Sequence, residues 1–170
     1  MNAMMSRRAA LAGGALTAMA LAIGIGPDWG PNWGAADAAT YPVTMTPEQW
    51  KKKLTPRQYA VLREQSTEYP FTSPLNKEHR KGIFSCAGCG QKLFSSATKF
   101  DSGTGWPSFW QPLPRAVGTS TDRMLGYART EVHCARCGGH LGHVFDDGPK
   151  PTGLRYCMNG DAMIFTPTQA

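Results

Sequence analysis

Two copies of one cysteine turn, Cys86-Ala87-Gly88-Cys89-Gly90 and Cys134-Ala135-Arg136-Cys137-Gly138, constrain this chain more than anything else in it. Two residues between the cysteines let both sulfurs of a tight turn converge on one point. The glycine that follows each pair tolerates the positive φ such a turn requires. Two matched turns offer four thiolates in tetrahedral reach of one ion. Zinc suits that ligand set and brings no redox liability, and iron also accepts it. Two disulfides, or a redox dithiol at one CxxC, are the competing readings. A closed four-sulfur site leaves no open position for water, so its expected role is structural: it pins two distant hairpins together. Five cysteines is an odd number, so one thiol has another job.

Composition narrows the frame further. A chain of 170 residues, 41% hydrophobic and 18% charged, is too short for two large cores and too apolar for wholesale disorder. Nineteen glycines and thirteen prolines argue against a helical bundle and for short strands joined by tight turns. The net charge of +6 is spread thinly, with Lys51-Lys52-Lys53 the one basic run, which is a weak signal for a nucleic-acid partner.

The first forty residues read as an address. Arg7-Arg8 stand directly before the uncharged stretch from Ala9 to Ile25, and Ala35-Ala36-Asp37-Ala38-Ala39 follows after a Gly/Asn/Trp-rich spacer. A positive start, a weakly apolar middle and an Ala-x-Ala site are the parts of an export signal, here twin-arginine-like. A retained membrane anchor is the alternative, although Ala and Gly are poor at spanning ~30 Å of hydrocarbon. Residues 1–39 are therefore expected to be a cleaved export signal, with the mature chain periplasmic or secreted and the membrane touched only through that segment. Twin-arginine export carries folded proteins, which would let the metal load in the reducing cytosol.

Thr46-Pro47-Glu48-Gln49 and Thr55-Pro56-Arg57-Gln58 repeat one helix-start signal: a capping Thr, a Pro at the first helical position and a Gln reaching back to the cap. They open short helices over 46–53 and 55–65, within a helical lead spanning 40–80. From Gly82 onward short β-type runs dominate: 83–84, 92–94, 127–133, 141–145, 154–158 and 162–165. Residues 81–170 are expected to form an antiparallel β domain around the metal turns.

The fifth cysteine, Cys157, lies late in one of those runs, within Arg155-Tyr156-Cys157-Met158-Asn159. A single free cysteine commonly packs as a small hydrophobe. Arg155, its i−2 neighbour on the same strand face, is placed to favour a thiolate instead. His140-Leu141-Gly142-His143 adds two imidazoles, readable as a second metal site, as core packing, or as acid/base groups serving the thiol. Phe100 to Trp110 sets glycines around Trp106, consistent either with a core tryptophan or with a rigid loop presenting an indole. A thiol, two histidines and an indole together describe a pocket for something small, apolar and methyl-bearing.

From about Met45 to Phe165 the chain resembles the B-type peptide methionine-(R)-sulfoxide reductases. The matching stretches include Glu68-Tyr69-Pro70-Phe71-Thr72, both cysteine turns, Phe100–Phe109, Arg129-Thr130-Glu131-Val132, His140 to Phe145, Asp147-Gly148-Pro149 and Arg155-Tyr156-Cys157 with Asn159. The resemblance implies a mainly β fold, a small barrel of two antiparallel sheets with short N-terminal helices, and one structural zinc per chain held by Cys86, Cys89, Cys134 and Cys137. It implies that Cys157 is the nucleophile, surrounded by Trp106, His140, His143, Asp147, Arg155 and Asn159. Methionine sulfoxide is a reversible oxidation product, and each epimer has its own reductase. In the expected chemistry Cys157 attacks the sulfoxide sulfur, His143 with help from His140 protonates the oxygen, and Cys157 is left as a sulfenic acid. Many family members carry a resolving cysteine where this sequence has Thr104. An external thiol, a thioredoxin- or glutaredoxin-like protein or a small thiol, is therefore the expected reductant. Asp146, Met158, Gly160 and Asp161 also depart from the usual family residues. Oxidised proteins are the expected partners, and a monomer the expected state.

Two rivals use fewer of these features. A zinc-ribbon nucleic-acid binder accounts for the charge and the metal turns but leaves Cys157, the histidine pair and the Trp106 loop idle, so no nucleic-acid partner is expected. A thiol–disulfide exchanger requires a metal-free CxxC.

Overall fold

The structure, a computed structural model, describes residues 41–168; the expected export segment lies outside the described residues. Two helices come first among them, α1 (Pro47–Lys53) and α2 (Pro56–Glu64). Both expected capping boxes are formed. Thr46 and Thr55 each accept the amide of the residue three ahead, and Gln49 and Gln58 each return a side-chain oxygen to the cap amide at 2.9 and 3.1 Å. Among the described residues no helix is long and apolar enough to cross a membrane.

Nine strands follow among the described residues: β1 (Gly82–Cys86), β2 (Lys92–Ser95), β3 (Lys99–Phe100), β4 (Ser108–Phe109), β5 (Val117–Asp122), β6 (Arg129–Cys134), β7 (His140–Phe145), β8 (Arg155–Met158) and β9 (Met163–Pro167). They form two antiparallel sheets, β2-β1-β9 and β3-β4-β8-β7-β6-β5. The sheets share no strand and are not closed into a hydrogen-bonded ring, so the expected barrel is realised as two packed sheets. Strands β3, β4 and β5 had no counterpart among the sequence-predicted runs. The first two are only two residues long, and β5 (VGTSTD) lacks the large apolar residues that mark a half-buried strand.

Register explains how the large sheet divides its labour. Phe109, Tyr156, Val144 and Thr130 line up on one face, with Met158 opposite Gly142 and Val132 on the same side. That apolar face meets the small sheet, where Phe94 stacks on Phe109 with ring centroids 4.4 Å apart and Phe84 meets it edge-on at 4.9 Å. All three phenylalanines are fully buried. The opposite face carries Asp122, Arg129, Glu131, His143, Arg155, Cys157 and Ser108, which are register neighbours from five strands. Strand alternation thus sorts the core from the chemistry.

The four-cysteine site and the candidate active site

Each cysteine turn closes the same way. Gly90 N donates to Cys86 O at 2.8 Å and Gly138 N to Cys134 O at 2.9 Å, with φ of +74° and +67° at the two glycines. The four sulfurs lie within 4.8 Å of one another, Cys86–Cys137 at 3.7 Å and Cys89–Cys134 at 3.5 Å. These separations are far longer than a disulfide bond. They match the edge of about 3.8 Å expected for a tetrahedron of thiolates with Zn–S near 2.3 Å. The donor set fits a single cation. Crowding of the four sulfurs pushes Cys89 and Cys134 towards the thiolate form and Cys86 and Cys137 away from it, a conflict of charge that a cation among them would relieve. The helical lead packs against this knot: Arg63 on α2 donates to Cys137 O at 3.0 Å while its guanidinium lies 5.1 Å from the Trp50 ring centroid.

On the polar face of the large sheet, Cys157 stands opposite His143 across β7–β8 and opposite Ser108 across β4–β8. Side chains so opposed have Cβ atoms roughly 4.5–5.5 Å apart. A cavity of about 120 Å³ opens here, lined by Thr67, Trp106, Arg129, His143, Phe145, Cys157 and Asn159 among others. Of the sequence-predicted site residues, Cys157, His143, Trp106 and Asn159 line this cavity. His140, Arg155 and Asp147 do not line it.

His140 reaches the same face by a bulge. Residues three apart in a regular strand point to opposite sides, but pairing shifts from Val132↔Gly142 to His133↔His140, which inserts one extra residue in β7. The two imidazoles come to 5.3 Å between centroids, edge to face. His140 is buried, its Nδ1 2.7 Å from Glu131 Oε1, and Ser120 Oγ donates to Glu131 Oε2 at 2.6 Å. Gly142 lets β7 and β8 approach: a Cβ there would stand 2.1 Å from Cys157 O.

Arg155 is held by Asp147 through two bonds of 2.8 Å, and its guanidinium covers the Phe145 ring at 4.4 Å. Asp147 itself is largely exposed, so it acts on the pocket only through Arg155. The Thr104 hydroxyl lies 3.8 Å from the Cys157 sulfur and continues into a chain of hydroxyls, Thr104–Ser102–Ser108, at 2.8 Å per step. Burial pushes the Cys157 thiol above its ordinary value, outweighing the opposite pull of Thr104, Arg155 and Ser108. Burial thus outweighs the pull towards the thiolate that the strand position of Arg155 led one to expect. The reason is that Arg155 spends much of its charge on Asp147 while most of the Cys157 surface is desolvated.

Several functional neighbours were missed from the sequence. Glu68 latches the chain before the small sheet onto the site: its carboxylate accepts Gly160 N at 2.7 Å and Asp161 N at 3.0 Å, its amide donates to Asn159 Oδ1, and its carbonyl accepts the Trp106 indole at 3.1 Å. Asp122 pairs with His143 Nε2 at 2.8 Å and with Arg129. Glu131 carried a signal, an acidic residue inside a β-type run, but no sequence rule supplies its partner.

The profile of the SelR domain matches residues 54–167. The chain is 52% identical over 133 residues to the peptide methionine sulfoxide reductase MsrB of Agrobacterium fabrum, covering 78% of this chain and 98% of that one. Identity to the MsrB of Bradyrhizobium diazoefficiens is 56% over 126 residues, 74% and 91% of the two chains. Identity to that of Methanosarcina mazei is 55% over 120 residues, 70% and 86%. A domain match across most of the chain, and identities above half over nearly the full length of these relatives, place it in the SelR-domain family of MsrB peptide methionine sulfoxide reductases.

Proposed function

We propose that this protein reduces methionine-(R)-sulfoxide in oxidised proteins to methionine, repairing oxidative damage through a sulfenic acid on Cys157. The observation that carries this reading is the cavity itself, which gathers the fifth thiol, His143, Trp106 and Asn159 on walls with the volume of a side chain rather than of a folded partner. The Cys157 sulfur attacks the sulfoxide sulfur and the oxygen is protonated from His143, whose ring is braced by His140. Trp106 packs against the S-methyl group, contributing on the order of 1 kcal/mol. Asn159 shapes the far wall. Arg155, steered by Asp147, favours the charge that develops on sulfur.

The product is Cys157–SOH, and two equivalents of an external thiol return it to Cys157–SH with release of water and a disulfide. A thioredoxin- or glutaredoxin-like protein, or a small thiol, fills that role because the other four sulfurs are engaged with one another. Cys86, Cys89, Cys134 and Cys137 would hold one zinc ion. Bound there, zinc supplies a cross-link between two hairpins and neutralises thiolate charge, with no part in the redox step. The protein acts as a monomer after export, through the twin-arginine route, to the periplasm or beyond.

The test uses the full chain with separated R- and S-sulfoxide peptides and dithiothreitol. The expected result is turnover of the R epimer alone, abolished in Cys157→Ser. Equal turnover of both epimers, or an active Cys157→Ser protein, refutes the reading.

A further inference from the structure

The polar face of the large sheet holds two carboxylate–imidazole pairs, and they are built differently. Glu131 takes Nδ1 of the buried His140, whereas Asp122 takes Nε2 of His143, the imidazole that lines the cavity. Asp122 is the more tightly held of the two acids. One oxygen accepts Met124 N at 2.8 Å, the other meets both His143 and the Arg129 guanidinium, and the side chain is 8% exposed. Its carboxyl is held down to about 2, chiefly by Met124 N and His143, so it is ionised throughout the working pH range. An ionised carboxylate accepts only; Nε2 of His143 must therefore carry a hydrogen, which leaves Nδ1 as the nitrogen free to take up and give back a proton.

We propose that Asp122 is a positioning residue for the reaction, orienting His143 and balancing the imidazolium that forms as a proton passes from the Cys157 thiol to the sulfoxide oxygen. The inference rests on the Cys157 reading above and extends it, because a thiol kept protonated by burial needs a base before it can attack. The step balances: Cys157–SH and R–S(=O)–CH3 become Cys157–S–OH and R–S–CH3. The substrate S–O bond breaks and a Cys157 S–O bond forms. Cys157 sulfur gives up two electrons and the substrate sulfur gains them, while the thiol proton travels by way of His143 to the oxygen. Asp122 touches neither sulfur, and it acts through the ring it holds, as the acid does in nucleophile–histidine–acid arrangements on unrelated folds.

The charged and titratable groups around His143 are Asp122 from β5, Arg129 and Glu131 from β6, His140 from β7, and Cys157 and Arg155 from β8. Glu68, on the segment beside the cavity, turns its carboxylate to Gly160 and Asp161. Burial, Arg129 and His140 all push His143 down, and Asp122 opposes them. Removing the Asp122 charge while keeping its shape should therefore lower the His143 pKa further.

In the full-length protein, Asp122→Asn should cut the single-turnover rate of R-sulfoxide reduction about 100-fold, with KM for the peptide changed by less than about threefold. The imidazole limb of its pH–rate profile should move to lower pH, and Asp122→Glu should restore part of the rate and of the profile. Nitrogen NMR of the resting wild type should show His143 as the Nε2–H tautomer, a readout independent of turnover and of how well a variant folds. A wild-type rate and profile in Asp122→Asn, or an Nδ1–H tautomer in the wild type, overturns the role given to Asp122. An active Cys157→Ser protein instead overturns the reading on which it rests, so the two failures are told apart.

Discussion

The four sulfurs of the cysteine turns and the fifth at Cys157 occupy one small β fold under opposite rules. In the knot, each sulfur is surrounded by others of its kind, and Cys86, Cys134 and Cys137 are 3% exposed or less. Its geometry is local: one five-residue turn with a positive-φ glycine, used twice. Cys157 has different company. Its partners are hydroxyls and a guanidinium, and a cavity opens on it from outside. What separates the four clustered sulfurs from the fifth is the chemistry of their neighbours and their access, since burial alone applies to both. Desolvation has a different consequence in each place: in the knot a cation would compensate it, and in the pocket it raises the Cys157 thiol above its ordinary value.

The most direct challenge to this contrast removes one sulfur from each place. If the four sulfurs hold a structural metal ion, as proposed, Cys134→Ser should lose that ion and the fold, because a structural zinc site of this kind contributes about 10 kcal/mol of binding energy to folding. Cys157→Ser should keep its metal and its melting temperature to within what about 1 kcal/mol shifts. Metal analysis and thermal unfolding of the two proteins decide the matter, and a stable, metal-free Cys134→Ser protein would end the distinction. Next, Thr104→Cys places a second sulfur beside the pocket thiol. After reaction with substrate, wild type should yield a sulfenic acid trapped by dimedone, and the variant an intramolecular disulfide between the introduced sulfur and Cys157 by mass spectrometry. A disulfide in the wild type would contradict both the recycling scheme and the assignment of the four metal sulfurs.

A smaller effect is expected from Gly142→Ala. The added Cβ would stand 2.1 Å from Cys157 O, so β7 must part from β8 at a loss of about 2–3 kcal/mol, with activity falling alongside. A matching Gly90→Ala change, at a glycine with open space around it but φ +74°, should lower stability by about 1 kcal/mol and leave the pocket alone. Smallest is a shift in pH dependence. Because burial raises the Cys157 pKa above the ordinary thiol value, alkylation by iodoacetamide should rise with pH through a midpoint above that of an exposed cysteine. Asp122 runs the other way: lowered from 3.8 to about 2, its contribution to stability is present above its unfolded pKa and is lost as pH falls through about 2. A Cys157 alkylation midpoint below the ordinary thiol value would remove the need for His143 as base.

What could be read from the residues alone depends on neighbours along the chain. The two capped helices, the glycine-closed cysteine turns, most of the strands and the separateness of Cys157 were legible because caps, tight turns and alternation are set within about seven residues. Thr104 stood out only through the family resemblance, as the position where many members carry a resolving cysteine, and it does lie against the thiol. Contacts between distant segments settled the rest. Strand β5 is a strand because β6 pairs with it along six residues, although its own side chains carry no pattern. The bulge that turns His140 to the side of His143 is a property of the β6–β7 pairing, and the meeting of Asp122 with an imidazole twenty-one residues away needs β5 and β7 on either side of β6. The upward shift of the Cys157 thiol was set at that level too. Sequence spacing put a cation two residues from the sulfur, but only the folded chain set that cation against Asp147 and desolvated the thiol, and desolvation is a sum over everything packed around an atom.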